Sequence, residues 1–120
     1  MESVNMLLVR IAAVSGFLAV ALGAFGAHAL RGLLDPRGLA SAWEKAVLYQ
    51  LAHSVALLAL GSSGNIARAP AWLFVAGITL FSGSLYLMCL TNVRAVGAIT
   101  PLGGLCFLTG WVWLVFSPSH

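Results

Sequence analysis

Charge is what this chain has least of. Six Lys and Arg and three Asp and Glu make only 8% of its 120 residues charged, against about 25% in a soluble domain. So few charges cannot solvate the surface of a globule. They also lie singly, at a net +3, so no basic patch exists to follow a phosphate backbone, and nucleic acid is excluded as a partner. Cysteine is nearly absent. Cys89 and Cys106 form no CxxC pair, which excludes a disulfide scaffold or a redox motif. Strand-type alternation is missing, and the chain is too short for an eight-stranded transmembrane barrel. Apolar residues, by contrast, reach 61%, where about 45–50% is usual. This excludes a disordered chain and leaves a membrane protein built of helices.

The charges divide the chain into four uncharged stretches: Ile11–Leu30, Ala46–Ala67, Ala69–Val93 and Ala95–His120. A helix needs about 20 largely apolar residues to cross a hydrocarbon core of about 30 Å. Each stretch is long enough for one crossing and none for two. The predicted fold is therefore all-α, one polytopic integral membrane domain over residues 1–120. It is an up-down bundle of four transmembrane helices at Leu7–Leu30, Trp43–Leu60, Ala71–Leu90 and Ala95–Phe116. Gly32, Asp35-Pro36 and Gly38 read the first linker as loop, and Gly61–Pro70 reads as the second. The short Thr91–Arg94 linker makes the last two helices an antiparallel hairpin.

The first span has a second reading. Arg10, an apolar stretch and Ala27-His28-Ala29 also fit a secretory signal with an Ala-x-Ala cleavage site. Against it, Val4, Met6, Leu7 and Leu8 make the leading segment apolar, and Glu2 makes it acidic. Ala12, Gly16, Ala19, Gly23 and Gly26 recur at helix spacing, a seam that lets two membrane helices approach closely. A retained helix is expected. For orientation, Arg31, Arg37, Lys45 and Arg94 flank the first and third linkers, against Arg10 and Arg68 on the other side. The positive-inside rule then puts those linkers in the cytoplasm and both termini outside.

Four blocks carry a resemblance. They are Gly23-Ala-Phe-Gly-Ala-His28-Ala-Leu30, Trp43-Glu44 through Tyr49-Gln50-Leu-Ala-His53, Leu80-Phe-Ser-Gly-Ser-Leu-Tyr86, and Gly97-Ala-Ile-Thr100-Pro101-Leu-Gly103-Gly104. In that order they resemble the YgdD-type family of small bacterial inner-membrane proteins, which has a four-helix transmembrane relative in animals. The resemblance implies a multi-pass protein of the inner, or plasma, membrane whose biochemical activity is not established. It implies a loose link to membrane integrity and stress tolerance, and it supplies no catalytic residue and no cofactor.

The polar residues set apart a candidate cluster. In an up-down bundle, His28, Tyr49, Gln50 and His53 fall in the leaflet beside the first linker. Ser82, Ser84, Tyr86, Cys89 and Thr100 fall beside the third, which is the same leaflet. His53 is the sharpest, an ionisable group inside a span with Tyr49 and Gln50 one turn away. It is expected buried, neutral, and bonded to a hydroxyl or a backbone carbonyl, with the phenol of Tyr49 or Tyr86 as first choice. His28 and His53 differ in depth by about 8–10 Å at 1.5 Å per residue, which argues against a shared haem. Two His without an intramembrane carboxylate make no metal site.

Ser41-Ala-Trp-Glu44 reads as a capping box, with Trp43 as an interfacial anchor, rather than as catalytic machinery. Thr79, Ser82, Gly83 and Tyr86 make one stripe on a regular helix. Pro101 breaks the fourth helix and frees the carbonyl of Gly97, to be met by Thr100 or Tyr86. Such a break serves packing or a transport path equally well. No nucleophile–base pair or phosphate loop is present, so an enzyme is not expected. The leading reading is a non-catalytic membrane component that is structural or binds lipid, a second copy or another membrane protein. The alternative is an oligomeric proton or small-molecule transporter using His53, Tyr49, Tyr86 and the broken fourth helix.

Overall fold

The computed structural model describes residues 4–63 and 68–117. Its helices are α1 (Met6–His28), α2 (Arg31–Arg37), α3 (Ala40–Ser63), α4 (Arg68–Gly77), α5 (Gly83–Thr91) and α6 (Thr100–Phe116). A π-helical turn, Ile78–Ser82, joins α4 to α5, and a 3-10 turn, Arg94–Ala98, leads into α6. Four apolar crossings result: Met6–His28, Ala40–Ser63, Arg68–Thr91 and Arg94–Phe116. The molecule measures 53 × 25 × 17 Å, longer than the about 40–45 Å of a bilayer with its headgroups. Phe17, Val55, Leu108 and Val115 stand exposed on its flanks, a surface suited to hydrocarbon. The predicted four-helix architecture is what the chain adopts.

The first linker is more ordered than its composition suggests. Arg31–Arg37 is helical, and Gly38 ends it in the left-handed region at φ 69°. The amides of Gly38 and Leu39 then return to the carbonyls of Asp35 and Leu34, which satisfies two of the last orphan acceptors. The Trp43 amide already bonds the Leu39 carbonyl at 3.1 Å, so α3 starts about one turn before its predicted start at Trp43. Ser41 consequently lies inside the helix, and the predicted Ser41–Glu44 capping box does not form. Trp43 is no interfacial anchor either: it is 3% exposed and donates its indole N–H to the Leu22 carbonyl at 2.9 Å.

The linkers pair at the ends as an up-down bundle requires. Arg37 donates to the carbonyls of Cys89 at 2.7 Å and Leu90 at 3.2 Å, capping the end of α5. Arg94 donates to the Arg37 carbonyl. At the far end the Asn5 amide bonds the Gly61 carbonyl at 2.8 Å. Helix α3 is central, packing along α1 on one side and against α4, the π-turn and α5 on the other; α6 packs along α4 and the π-turn.

Two apolar cores fill the bundle. Leu34, Leu39, Trp43, Ala46, Leu85, Met88 and Cys89 form one by the first linker. Leu8, Ala12, Leu57, Ala71, Phe74 and Phe107 form the other at the opposite end. Between them α3 buries Gln50, His53 and Ser54. The earlier start of α3 puts these residues near the middle of the Ala40–Ser63 crossing, not, as predicted for Gln50 and His53, in the leaflet beside the first linker.

The small-residue seam of α1 is used as expected, with Ala12, Ala19 and Gly26 buried and Gly26 directly under the Trp43 indole. The predicted stripe on the third crossing is not. A π-turn holds one residue more than the same turn of an α-helix, so it rotates α5 relative to α4. Thr79 is exposed and bonds back to the Val75 carbonyl, while Ser82 is buried and donates to Ala46 of α3 at 2.7 Å. Gly83 has open space where a Cβ would stand.

Candidate functional site

The centre of the bundle is a hydrogen-bonded bridge. Tyr86 of α5 donates its hydroxyl to Gln50 Oε1 at 2.7 Å. Gln50 Nε2 donates in turn to the Ser15 carbonyl of α1 at 2.9 Å. One amide side chain thus ties three crossings together. Ser54, one turn further along α3, donates its single hydroxyl proton to the Gln50 carbonyl at 2.6 Å and so accepts from the Ser15 hydroxyl, 2.7 Å away. In hydrocarbon no water replaces a lost partner, so such side chains bond one another across helices. Among the described residues no buried side-chain nitrogen or oxygen lacks a partner.

His53 stands in an aromatic nest. Its ring stacks on Phe107 of α6 with centroids 3.7 Å apart and planes 13° apart, and Phe74 meets it edge-on at 5.1 Å. Nδ1 lies 2.7 Å from the Tyr49 carbonyl, and Nε2 lies 3.0 Å from the indole nitrogen of Trp111. An indole N–H only donates, so Nε2 accepts and the proton sits on Nδ1, an assignment made from the partners. The ring carries a single proton in this arrangement. The backbone carbonyl was one of the expected partners, but neither phenol is. Tyr86 is taken by Gln50, and the Tyr49 ring stacks on Phe81 at 4.6 Å.

The remaining candidates disperse. Ser84 pairs with Thr100 at 2.6 Å, joining α5 to the start of α6. Pro101 does not break a helix interior. It falls in the first turn of α6, where its missing N–H removes no bond, and the carbonyl of Gly97 is met by the Ile99 amide. Neither Thr100 nor Tyr86 serves it. His28 is exposed at the C-terminal end of α1, apart from the cluster. Three hydrogen-bonding participants escaped sequence reasoning, Ser15, Ser54 and Trp111, as did the rings of Phe74 and Phe107 that enclose His53. Ser54 stands four residues after Gln50 and Trp111 four after Phe107, one-turn spacings that could have marked both. Among the described residues no three His, Cys, Asp or Glu gather as a metal site would require, and nothing in this arrangement pairs a nucleophile with a base.

Residues 22–104 match the family described as "Protein of unknown function (DUF423)". The chain belongs to the DUF423 family. Relatives of similar length agree. A UPF0382 membrane protein of Staphylococcus aureus is 44% identical over 92% of this chain and 93% of its own. One of Staphylococcus saprophyticus is 47% identical over 86% and 88%. The UPF0382 membrane protein YwdK of Bacillus subtilis is 44% identical over 86% and 88%. No solved structure matches the chain. The DUF423 match takes in Trp43, Gln50, His53, Tyr86 and Thr100, while Ser15 and Trp111 lie outside its limits.

Proposed function

We propose that this DUF423 protein is a non-catalytic component of the bacterial inner membrane, structural and lipid-binding in role, that supports membrane integrity. The observation that carries the reading is the bridge from Tyr86 through Gln50 to Ser15. A transport path needs polar groups that can leave one partner for another. Here the buried ones are engaged with protein, at backbone carbonyls or at each other. The likeness to the YgdD-type family and its animal relative belongs to this reading, as do lipids, a second copy or another membrane protein as partners.

The orientation goes with it. By the positive-inside rule, Arg31, Arg37, Lys45 and Arg94 support an orientation with the first and third linkers in the cytoplasm and both tails outside. Single cysteines at Ser3 and Ser119, both outside the described residues, in a chain with Cys89 and Cys106 replaced by serine, should both react with an impermeant maleimide added outside. One reactive and one protected tail would contradict the four-crossing topology; two protected tails would reverse the orientation.

The transporter alternative draws on the irregular backbone of the third and fourth crossings, the π-turn Ile78–Ser82 and the 3-10 turn Arg94–Ala98. Proteoliposomes with an entrapped pH dye separate the two. The structural reading expects proton flux equal to that of empty liposomes. Flux that is present in the native chain and lost in His53→Gln would establish the transporter instead.

A further inference from the structure

Outside the central bridge, a groove of about 290 Å³ opens at the first-linker end between α1, α2 and α3. Its volume is near the lower end of small-molecule sites, about 300–1,000 Å³. Its two ends differ. Arg31 and Asp35 of α2 and Glu44 of α3 line it at the end of the bundle, and Val47, Leu48 and Leu51 line it further into the crossing. Glu44, Leu48 and Leu51 follow one helix face, the last about 10 Å deeper than the first at 1.5 Å per residue. On the α1 side Gly23, Gly26 and Ala27 keep the wall low.

We propose that this groove binds a zwitterionic phospholipid whose headgroup carries a primary ammonium, the phosphatidylethanolamine class. The assignment rests on the lipid-binding reading above and names the lipid. Its warrant is charge complementarity. Arg31 meets Asp35 through Nε at 3.7 Å, and both side chains are largely exposed, at 72% and 57%. The two Nη groups of Arg31 remain for a phosphate, which guanidinium binds well. Glu44 has no ion-pair partner among the described residues. Among the residues that line the groove, it and Asp35 present two carboxylates to one guanidinium, a local excess of negative charge that an anionic headgroup seated there would meet unfavourably. An ammonium offers three N–H donors to those carboxylates, whereas a trimethylammonium offers none. The acyl chains then follow Val47, Leu48 and Leu51 along α3.

The test is lipid retention by the full chain, read by native mass spectrometry from micelles holding equimolar dioleoyl phosphatidylethanolamine, phosphatidylcholine and phosphatidylglycerol. The ethanolamine lipid should be retained over each of the others by about two- to fivefold, the range of one exposed ion pair. Glu44→Gln, at an exposed position, should keep the thermal melting of the native chain and bring retention to parity. Glu44→Lys should turn the preference to phosphatidylglycerol. Ala27→Leu should lower retention of all three by narrowing the groove. A native preference for phosphatidylglycerol, or an ethanolamine preference unchanged in Glu44→Gln, would overturn the assignment. Equal retention of all three that still falls in Ala27→Leu would overturn the headgroup alone and leave lipid binding standing. No retention of any lipid would overturn both.

Discussion

The two long helix seams of this bundle reach close approach by different chemistry. Along α1 and α3, glycines admit larger side chains, Gly26 beneath the Trp43 indole and Gly23 beside Val47, and polar side chains also cross the gap, with Gln50 and Ser54 on Ser15 and the Trp43 indole on the Leu22 carbonyl. Along α4 and α6, aromatic rings enter notches left by glycine. Phe107 covers Gly77, Phe74 covers Gly110, and Gly103 lies against the Phe81 backbone. The polar contact beside that second seam is made by His53, which reaches it from α3. Without a hydrophobic force between helices in lipid, packing and hydrogen bonds must do the work. The first seam adds hydrogen bonds between its own two helices to its packing; the second relies on packing between α4 and α6. The glycine–aromatic seam should therefore be the more brittle.

That contrast breaks most visibly at Gly103. A Cβ there would collide with the backbone of Phe81, which cannot swing away as a side chain can. Gly103→Leu should yield no folded protein, and Gly103→Ala should lose about 3 kcal/mol, the upper part of the usual overpacking range. The matching change in the other seam, Gly16→Ala, places a methyl 3.9 Å from Ser54 Cβ and should leave unfolding in SDS almost unmoved. Comparable losses at the two glycines would remove the distinction.

A smaller effect is expected at His53, where the two seams meet. His53→Ala gives up the Phe107 stack and leaves the Trp111 N–H without an acceptor, at a cost of about 2–3 kcal/mol. His53→Gln restores a donor and an acceptor and should recover part of that loss. Trp111→Phe, which removes one interhelical bond, should cost about 0.6 kcal/mol. Equal unfolding curves for His53→Ala and His53→Gln would show that packing alone matters there.

Milder than the loss of the His53 ring is a change at Gly23. Its Cβ would stand 3.2 Å from a Val47 methyl, a side chain able to give a little. Gly23→Leu should still lower the melting temperature in detergent more than Leu18→Ala, since Leu18 is 44% exposed. The expected difference is about 1 kcal/mol. The reverse order would count against the small-residue seam.

The crossings were legible in the sequence because hydrocarbon imposes a simple requirement of length and apolarity, and the scattered charges show where each crossing stops. Helix α2 was not. Asp35-Pro36-Arg37-Gly38 carries every mark of a turn, and a helix this short has too little periodicity to contradict them. The π-turn was not legible either. Thr79, Ser82, Gly83 and Tyr86 form a stripe only if the helix is regular. The extra residue lies where Phe81 meets Gly103, a contact no local pattern encodes. Of the site, Gln50 and His53 were legible as polar residues in an apolar run. Their partners were less so: Ser15 hides among small seam residues, and an indole in an apolar helix end does not announce itself as a donor.

The bridge across the membrane's middle bears most directly on the structural role. A double-mutant cycle between Tyr86→Phe and Gln50→Leu, with SDS unfolding of the full chain in mixed micelles, tests it. If the 2.7 Å bond between these side chains holds α5 to α3, the two changes should be coupled by about 0.6 to 1.7 kcal/mol. Strictly additive losses would show that the two residues do not support each other, and would contradict the structural role assigned to the polar centre.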